Sequence, residues 1–262
     1  MQPTYFIPHG GGPCFFMDWN PPDAWDKMRE FLEGILPSLP ERPKAILVIT
    51  AHWETDVTTV STNPKPGMHY DYYGFPSHTY ELQFPAKGDA GVAARAIELL
   101  QAAGIETHSD DSYDFDHGVF VPLMVAMPEA DIPVVPVSIR ADYDPEHHLS
   151  VGKALAPLRE KNVLIVGSGM SYHNLRALFA RSEAPGSAEF DDWLTGALAA
   201  EPEARDAALK EWEQAPAARI AHPEEDHLVP VFAVAGAAGA DRGVQVLKDH
   251  VMGARVSAYR FG

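Results

Sequence analysis

The chain is predicted to fold as one α/β domain with a central mixed, mostly parallel sheet flanked by helices. Short apolar runs alternate with helical patterns along its length, which is typical of strands and helices that share one sheet. Two runs, residues 45–50 and 163–166, are continuously apolar, as expected of strands covered on both faces. The 262 residues contain no internal repeat and no low-complexity linker. A single domain over residues 1–262 is therefore expected, with enough chain for a sizeable core.

Strands are predicted where short apolar and β-branched runs occur. They cover residues 4–8, 45–50, 57–61, 132–139, 163–166, 244–247 and 254–259, the last two as an antiparallel pair at an edge. Helices are predicted where apolar residues recur with the helical period. They cover residues 22–36, 89–103, 117–127, 145–159, 189–199, 202–214 and 227–238. Asp89 is expected to cap the second helix, because its carboxylate can accept a hydrogen bond from a free backbone N–H.

Residues 63–88 break this alternation. Prolines, glycines and aromatic residues crowd together there without a helical or strand period. An irregular stretch of this length is uncommon inside a compact domain and is often a lid or a binding loop. The aromatic residues at positions 70–75 are expected either to cover a ligand or to hold the loop against the core.

Charge and cysteine content exclude several classes of protein. The formal net charge of −17 disfavours nucleic acid and anionic membrane surfaces as partners, because binding phosphates requires a basic surface. Cys14 is the only cysteine, so no intrachain disulfide can form, and a cytoplasmic location is expected. A small buried side chain is the favoured role for Cys14. We find neither a signal-peptide pattern nor an apolar run long enough to span a membrane. Assembly into a homo-oligomer is compatible with the sequence.

Histidines recur where predicted strands or loops end. His9 follows the first strand and precedes Gly10, Gly11 and Gly12, and the other candidates are His52, His117, His173 and His227. In an open α/β sheet, the loops that follow the carboxyl ends of parallel strands form the ligand site. Several imidazoles gathered there indicate a metal of borderline softness, such as iron, zinc or copper.

The alternative interpretation is that each of these histidines lies separately on a loop and has no shared site. We favour that interpretation for the other seven histidines of the chain. Those are His69, His78, His108, His147, His148, His222 and His250. The His-x-Asp pattern occurs twice, ending at Asp71 and Asp110, and is interpreted as chance. Ser168 follows a strand, but without the Gly-x-Ser-x-Gly spacing it is interpreted as a turn residue. No His-Glu-x-x-His helix, paired cysteine motif or dinucleotide fingerprint is present.

Five short motifs nevertheless follow one another in a characteristic order. They are His9-Gly10, Ala51-His52-Trp53, Phe115-Asp116-His117-Gly118, the segment from Gly169 to Leu175 that contains His173, and Asp226-His227 with Pro230. In this order the chain resembles the class III extradiol ring-cleavage dioxygenases of the DOPA-dioxygenase type. The resemblance runs nearly end to end. It implies an α/β fold with a mixed sheet and a mononuclear non-heme metal at one end of that sheet.

The resemblance also implies roles for individual histidines. His9, His52 and His227 match the metal ligands, although protocatechuate-cleaving relatives have a glutamate as the third ligand, and Glu224 and Glu225 lie nearby as possible substitutes. The implied metal is Fe(2+), and a site with three imidazoles also suits Zn(2+). His173 matches the general base, which in some members is close enough to be a ligand. His117 matches a residue that faces the substrate and oxygen.

The implied function is metal-dependent opening of a catechol-type aromatic ring with O2. The alternatives are a zinc-dependent hydrolase and a non-catalytic metal-binding protein on the same scaffold. A carboxylated substrate would require a cationic side chain near the metal, and Arg140 and Lys87 are candidates only by their loop positions.

Overall fold

One sheet of eight strands runs through the part of the chain that the computed structural model describes, residues 1–180 and 183–262. In chain order the strands are β1 (Thr4–Pro8), β2 (Ala45–Thr55), β3 (Thr59–Ser61), β4 (His108–Asp110), β5 (Val134–Arg140), β6 (Val163–Gly169), β7 (Gly243–Val251) and β8 (Ala254–Phe261). Their order in space is β4-β3-β5-β2-β6-β1-β8-β7. The centre, β5-β2-β6-β1, is parallel, whereas β8 and β7 add antiparallel strands at one edge. The predicted mixed, mostly parallel sheet is confirmed.

Helices cover both faces of this sheet. They are α1 (Asp26–Gly34), α2 (Ala90–Ala102), α3 (His117–Ala126), α4 (Pro145–Leu155), α5 (Leu175–Leu178), α6 (Ser187–Ala199), α7 (Pro202–Lys210), α8 (Ala218–Ala221) and α9 (Val229–Ala237). The helices α4 and α9 pack together on one face, and α1 and α3 pack on the other. Every residue of α9 is buried, which matches a helix that is apolar all round. None of the described helices has the length and apolarity that crossing a membrane requires.

Several boundaries differ from the prediction for identifiable reasons. The helix predicted at residues 145–159 ends at Leu155 and continues as the 3-10 helix Ala156–Lys161, because Pro157 has no N–H to donate and disfavours a preceding α-helical turn. The helix predicted at residues 202–214 likewise ends at Lys210 and is followed by a 3-10 turn. Strand β4 was not predicted, because its three polar residues show no apolar pattern and pair only through β3.

Three differences affect the histidines. Strand β2 continues to Thr55, so His52 lies within the strand, at a register irregularity between Thr50 and Glu54, and does not follow the strand end. Strand β6 continues to Gly169 and includes Ser168, which the sequence placed in a turn. His227 lies on the turn before α9 and does not open that helix.

The central strands bring these segments to one edge of the sheet. Residues at the carboxyl ends of β1 and β6 lie side by side, with Pro8 opposite Gly169. The backbone of His227 crosses this edge, where its carbonyl accepts a hydrogen bond of 2.9 Å from the N–H of Met170. A Cβ atom at Gly169 would collide with that carbonyl, so a glycine there allows the close approach.

Candidate metal centre

Three imidazoles form a triangle at this edge. The ring centroids of His9, His52 and His227 are separated by 4.8, 4.8 and 5.0 Å. Nε2 of His52 lies 3.1 Å from Nε2 of His9 and 3.2 Å from Nε2 of His227. His9 and His227 are buried, and His52 is partly exposed toward the cavity that these rings line. The three Nε2 atoms therefore point toward one common space.

The opposite ring nitrogens all have acceptors behind them. Nδ1 of His9 lies 3.2 Å from Oγ of Ser168, and that hydroxyl donates its own proton to the carbonyl of Gly118. Nδ1 of His52 lies 3.3 Å from Oδ2 of Asp71. Nδ1 of His227 lies 2.7 Å from Oδ2 of Asp226. We therefore assign the ring proton of each histidine to Nδ1, which leaves Nε2 as a lone pair.

This donor set fits a divalent cation. The Nε2 lone pair of His52 faces those of His9 and His227 at 3.1 and 3.2 Å, and lone pairs this close repel unless a positive charge lies among them. Imidazole nitrogens with a hydrogen-bonded partner on the far side are the arrangement typical of histidine metal ligands. Iron, zinc and copper all accept such ligands. The residues present are thus able to hold the metal that the histidine pattern predicted.

Burial also keeps these imidazoles in the form that binds a metal. Burial, followed by the neighbouring imidazoles, lowers the pKa of His9 and of His52 well below 6.5. Burial, followed by His173, lowers the pKa of His227 to about 4. A metal competes with protons for the same lone pair, so a low pKa keeps the site available near neutral pH.

His117 flanks the triangle on the side of His52. Its ring centroid lies 3.9 Å from that of His52 and 5.3 Å from that of His9. Asp116 caps the start of α3 by accepting from the N–H of Val119 at 3.1 Å, which fixes His117 as the first residue of the helix. The ring of His117 is then oriented from the long loop, because its Nδ1 donates to Oδ1 of Asp71 at 2.9 Å.

His173 flanks the triangle on the side of His227. The two rings are stacked, with centroids 3.4 Å apart and planes at 17°. Nδ1 of His173 lies 3.7 Å from Oδ1 of Asp226, the carboxylate whose other oxygen holds His227. Burial acts to raise the pKa of Asp226, but the contacts with His173 and His227 outweigh it and hold the pKa well below its usual range. Asp226 is therefore a carboxylate anion beside both rings.

A cavity of about 500 Å³ opens onto the histidine cluster. The predicted loop at residues 63–88 forms part of its wall through Tyr72, Tyr73 and Phe75. Tyr70 instead donates to the carbonyl of Leu82 at 2.7 Å and packs away from the cavity. Some aromatic residues of this loop thus line the cavity, whereas Tyr70 holds the loop to itself; the covering of a ligand stays a prediction. The larger cavity of about 870 Å³ that adjoins it is lined by only one histidine, His250, whereas the smaller cavity is lined by the five clustered histidines.

The structure brings together all five histidines singled out as site residues, His9, His52, His117, His173 and His227. His222 stays outside, buried with its Nε2 against the carbonyl of Ser171. The carboxylate of Glu225 pairs with Arg219. Neither Glu225 nor Glu224 belongs to a group of side chains close enough to share a metal ion among the described residues.

Sequence reasoning missed the residues behind the rings. The sequence pattern gives Asp71 only a chance match and predicts a turn at Ser168, and it assigns no separate role to Asp226. For Asp226, its position directly before the candidate ligand His227 could have indicated a contact with that ring. For Asp71, no local pattern indicates the contact, because it lies 46 positions from His117.

Comparison with known proteins agrees with this geometry. Residues 3–261 match the family model described as the catalytic LigB subunit of aromatic ring-opening dioxygenase. The dioxygenase tasH of Hapsidospora irregularis is 38% identical over 282 residues, covering 100% of this chain and 86% of that protein. The 4,5-DOPA dioxygenase extradiol of Beta vulgaris is 36% identical, covering 100% and 97%. The crystal structure of an uncharacterized protein from Escherichia coli K12 superposes with a TM-score of 0.81 at 27% identity, with both chains fully covered.

The family match spans the sheet, both helical layers and every histidine of the cluster. The relatives are matched over most of their own length, so the likeness is not confined to one segment. On this basis the chain belongs to the family of catalytic LigB subunits of aromatic ring-opening dioxygenases.

Proposed function

We propose that this extradiol dioxygenase is iron(II)-dependent and opens a catechol-type ring with O2, and that residues 1–262 act as one catalytic domain. His9, His52 and His227 are proposed as the metal ligands. The observation that carries this proposal is the convergence of three Nε2 atoms, each on a ring whose Nδ1 lies within 2.7 to 3.3 Å of a side-chain oxygen on the far side. A redox-active iron(II) ion supplies a positive charge that makes a bound phenol more acidic, and it activates dioxygen, which zinc does not.

The cavity suits a flat aromatic ring. The glycine-rich turn after His9 leaves space beside the imidazoles, since Gly10 adopts a φ of +82° and a Cβ at Gly12 would lie 2.8 Å from the ring of Phe75. A side chain at Gly12 would press on Phe75 in the cavity wall, whereas one at Gly10 would collide with Sγ of Cys14, so larger residues at these positions would displace the turn that lines the cavity. The ring of Tyr72 packs edge to face against Phe75 at 5.5 Å and forms the facing wall.

His173 is proposed as the general base that removes a proton from the substrate hydroxyl. An imidazole is suited to this transfer near neutral pH. The ring lines the cavity, and its stacking on His227 keeps it beside the proposed metal ligands. The anionic Asp226 lies behind it and stabilises the positive charge that the ring gains on accepting the proton.

His117 is proposed to donate a hydrogen bond to the reacting oxygens. Its Nδ1 is held by Asp71, so Nε2 is the nitrogen available to the cavity. When the ring carries two protons, Nε2 donates while Asp71 stabilises the charge. The two carboxylates thus lie behind the two flanking histidines on opposite sides of the triangle.

Metal reconstitution tests the proposal. Metal-free protein is loaded under nitrogen with iron(II) or zinc, mixed with catechols and exposed to oxygen. We expect oxygen uptake and a yellow ring-opened product with iron(II) only. Inertness of the iron-loaded protein across a broad catechol panel would overturn the proposal, and ester or amide turnover under nitrogen would favour a zinc hydrolase.

Two variants separate binding from chemistry. We expect His227→Ala to lower the bound metal, and His173→Gln to keep the metal while kcat falls by about 10²–10⁴-fold. His250→Gln serves as the control, because that exposed histidine lies outside the cluster. We also propose a cytoplasmic location, since iron(II) and the free thiol of Cys14 both suit a reducing compartment.

A further inference from the structure

Beyond the histidines, the walls of the cavity are apolar. Trp19 and Trp25 pack edge to face at 5.4 Å on one side, and Tyr72 and Phe75 form another. The remaining wall consists of aliphatic side chains, among them those of Met170, Val251, Met252 and Val256. Among the lining residues that the structure describes, none is a lysine, arginine, aspartate or glutamate.

The rim of the cavity exposes large apolar side chains to water. Tyr73, Leu175 and Phe179 are 91%, 51% and 68% exposed, and all three border the opening. They are three of the seven large hydrophobic residues that are exposed in the described ranges. Apolar side chains gathered at the mouth of a pocket indicate a ligand that covers them.

The surrounding charge disfavours an anionic substrate. Asp18 and Glu183 line the adjoining cavity, which shares Trp19 and Met252 with the first, and the chain carries a net charge of −17. Of the basic residues considered from the sequence, Arg140 pairs with Asp142 at 2.6 Å and lines a different cleft. Lys87, the other candidate, is not among the lining residues.

We infer that the substrate is a catechol whose ring carries an uncharged, apolar substituent, and that a carboxylated catechol is a poor substrate. This inference rests on the proposed function. A carboxylate moved from water into the apolar part of the cavity loses hydration without gaining an ion pair. An alkyl or aryl group instead buries itself against the tryptophans and the exposed rim. At about 500 Å³ the cavity is larger than one aromatic ring requires.

A matched substrate series tests the inference. The values of kcat/KM are measured for catechols that carry a methyl, ethyl, propyl or butyl chain para to one hydroxyl, and for dihydroxyphenylpropanoate and dopamine. We expect kcat/KM to rise by about fourfold for each added methylene group. The propanoate is expected to fall at least about tenfold below the butyl compound. An equal or higher kcat/KM for the propanoate or for dopamine than for the alkyl compounds overturns the inference.

Charge variants identify the residues responsible. Leu175→Arg places a cation at the exposed rim and is expected to shift the ratio of kcat/KM values toward the propanoate by about tenfold. Val244→Arg adds the same charge at an exposed position on β7, away from the cavity, and should leave the ratio unchanged. If chain length has no effect and Leu175→Arg changes the oligomeric state in size-exclusion chromatography, the rim is a protein interface and the inference is wrong.

Two basic residues close to the rim in sequence need their own variants. Arg176 follows Leu175, and Arg181 lies outside the described residues. If the propanoate is preferred, and Arg176→Gln or Arg181→Gln abolishes that preference, then an arginine binds the carboxylate of the substrate. The inference of an apolar substituent is then wrong.

Calorimetry separates failure of the inference from failure of the proposed function. The same compounds are titrated under nitrogen into the zinc-loaded protein, in which no oxygen chemistry occurs. Alkyl preference in binding without ring cleavage by the iron-loaded protein would contradict the proposed function alone. Ring cleavage together with preferential binding of the propanoate would contradict the substrate class alone.

Discussion

Asp71 holds His117 by two hydrogen bonds to the same oxygen, since Oδ1 accepts from both the backbone N–H and the ring Nδ1 of His117 at 2.9 Å each. Its second oxygen lies 3.3 Å from Nδ1 of His52. Burial acts to raise the pKa of Asp71, but the hydrogen bonds from His117 outweigh it and the pKa is lowered. One carboxylate from the long loop therefore orients a proposed ligand and a proposed proton donor together.

Replacing this carboxylate tests its role. We expect Asp71→Asn to lower kcat/KM by about 10–100-fold, because the amide retains the shape of the side chain and loses the charge that orients both rings. Asp114→Asn is the matched control, since Asp114 also accepts from a backbone N–H of the loop, that of Gly67, but touches no histidine. Steady-state kinetics with metal analysis checks the prediction, which would be wrong if both variants retained activity within about twofold.

Asp226 is expected to matter for metal affinity as well as for rate. In Asp226→Asn the hydrogen bond to Nδ1 of His227 is weakened, so the affinity for the metal should fall by about 10–100-fold. Competition with a coloured chelator measures this affinity. Glu224→Gln changes the net charge equally at an exposed position two residues away and should leave the affinity unchanged. An equal loss in both variants would mean that general charge, and not the contact with His227, determines the affinity.

Ser168 links His9 to the backbone of α3. Ser168→Ala leaves Nδ1 of the buried His9 without its acceptor, which is expected to cost about 1–3 kcal/mol of unfolding free energy and to weaken metal binding. Ser171→Ala provides the comparison, because its hydroxyl accepts from the N–H of Ser257 at 2.8 Å and touches no proposed ligand. Chemical denaturation should show both variants destabilised, and chelator competition should show weaker binding for Ser168→Ala only. Unchanged metal affinity in Ser168→Ala would contradict the link.

Gly118 lies where a side chain would press on the site. An added Cβ would be 2.9 Å from each of three atoms, in Asp116, His52 and Thr50. Gly118→Ala is therefore expected to cost about 1–3 kcal/mol of stability and to weaken metal binding by displacing His52. Gly196→Ala, with no atom within 4 Å of its Cβ, should instead stabilise α6 by about 0.5–1 kcal/mol. Thermal unfolding measures the stability of both variants, and metal titration measures their affinity for the metal. Unchanged stability and unchanged metal affinity in Gly118→Ala would contradict the prediction.

Acid sensitivity is expected from a histidine far from the metal centre. Nδ1 of His148 donates to the carbonyl of Asp144 at 2.7 Å and its Nε2 accepts from the N–H of Arg140 at 3.0 Å, so the folded state requires the neutral ring. Burial lowers the pKa of His148 to about 3. The unfolded chain, with a histidine pKa of about 6.5, binds the proton first as the pH falls. Stability is complete above that value and is lost as the pH falls toward 3, by at most about 1.4 kcal/mol per pH unit.

Urea unfolding between about pH 7 and about pH 5 measures this slope. His148→Gln keeps an acceptor without a titrating group and should reduce the slope, whereas the exposed His250→Gln should not. Parallel slopes for the wild type and for His148→Gln would assign the acid sensitivity to other groups.

Patterns along the sequence predict most of the architecture, because a buried strand is marked by a run of consecutive apolar residues. Strand β1 has the predicted bounds, and Asp89 caps α2 as expected by accepting from the N–H of Val92 at 2.9 Å. Strand β2 extends further than predicted, because the polar residues after Thr50 are held by pairing with β5. Pairing between distant segments leaves no periodic signal in one sequence.

In the candidate site, too, some residues are predictable from local sequence and others are not. The five histidines were singled out by their places after strands and loops, and by the family resemblance. Asp71 lies 46 positions from His117, and Ser168 lies 159 positions from His9. Residues that orient a ring from behind depend on how a loop crosses the finished sheet. For that reason they are recognisable only in the folded structure.

The position of β1 has a consequence for biosynthesis. This strand, which ends next to His9, lies between β6 and β8 and pairs with both. Its neighbours are therefore made by the ribosome more than 150 residues later. The proposed metal pocket consequently cannot be complete before β6 and the turn that carries His227 have been synthesised, and such long-range pairing is slow. The metal should thus be acquired late in synthesis or after it, by a polypeptide in which β1 has already paired with β6.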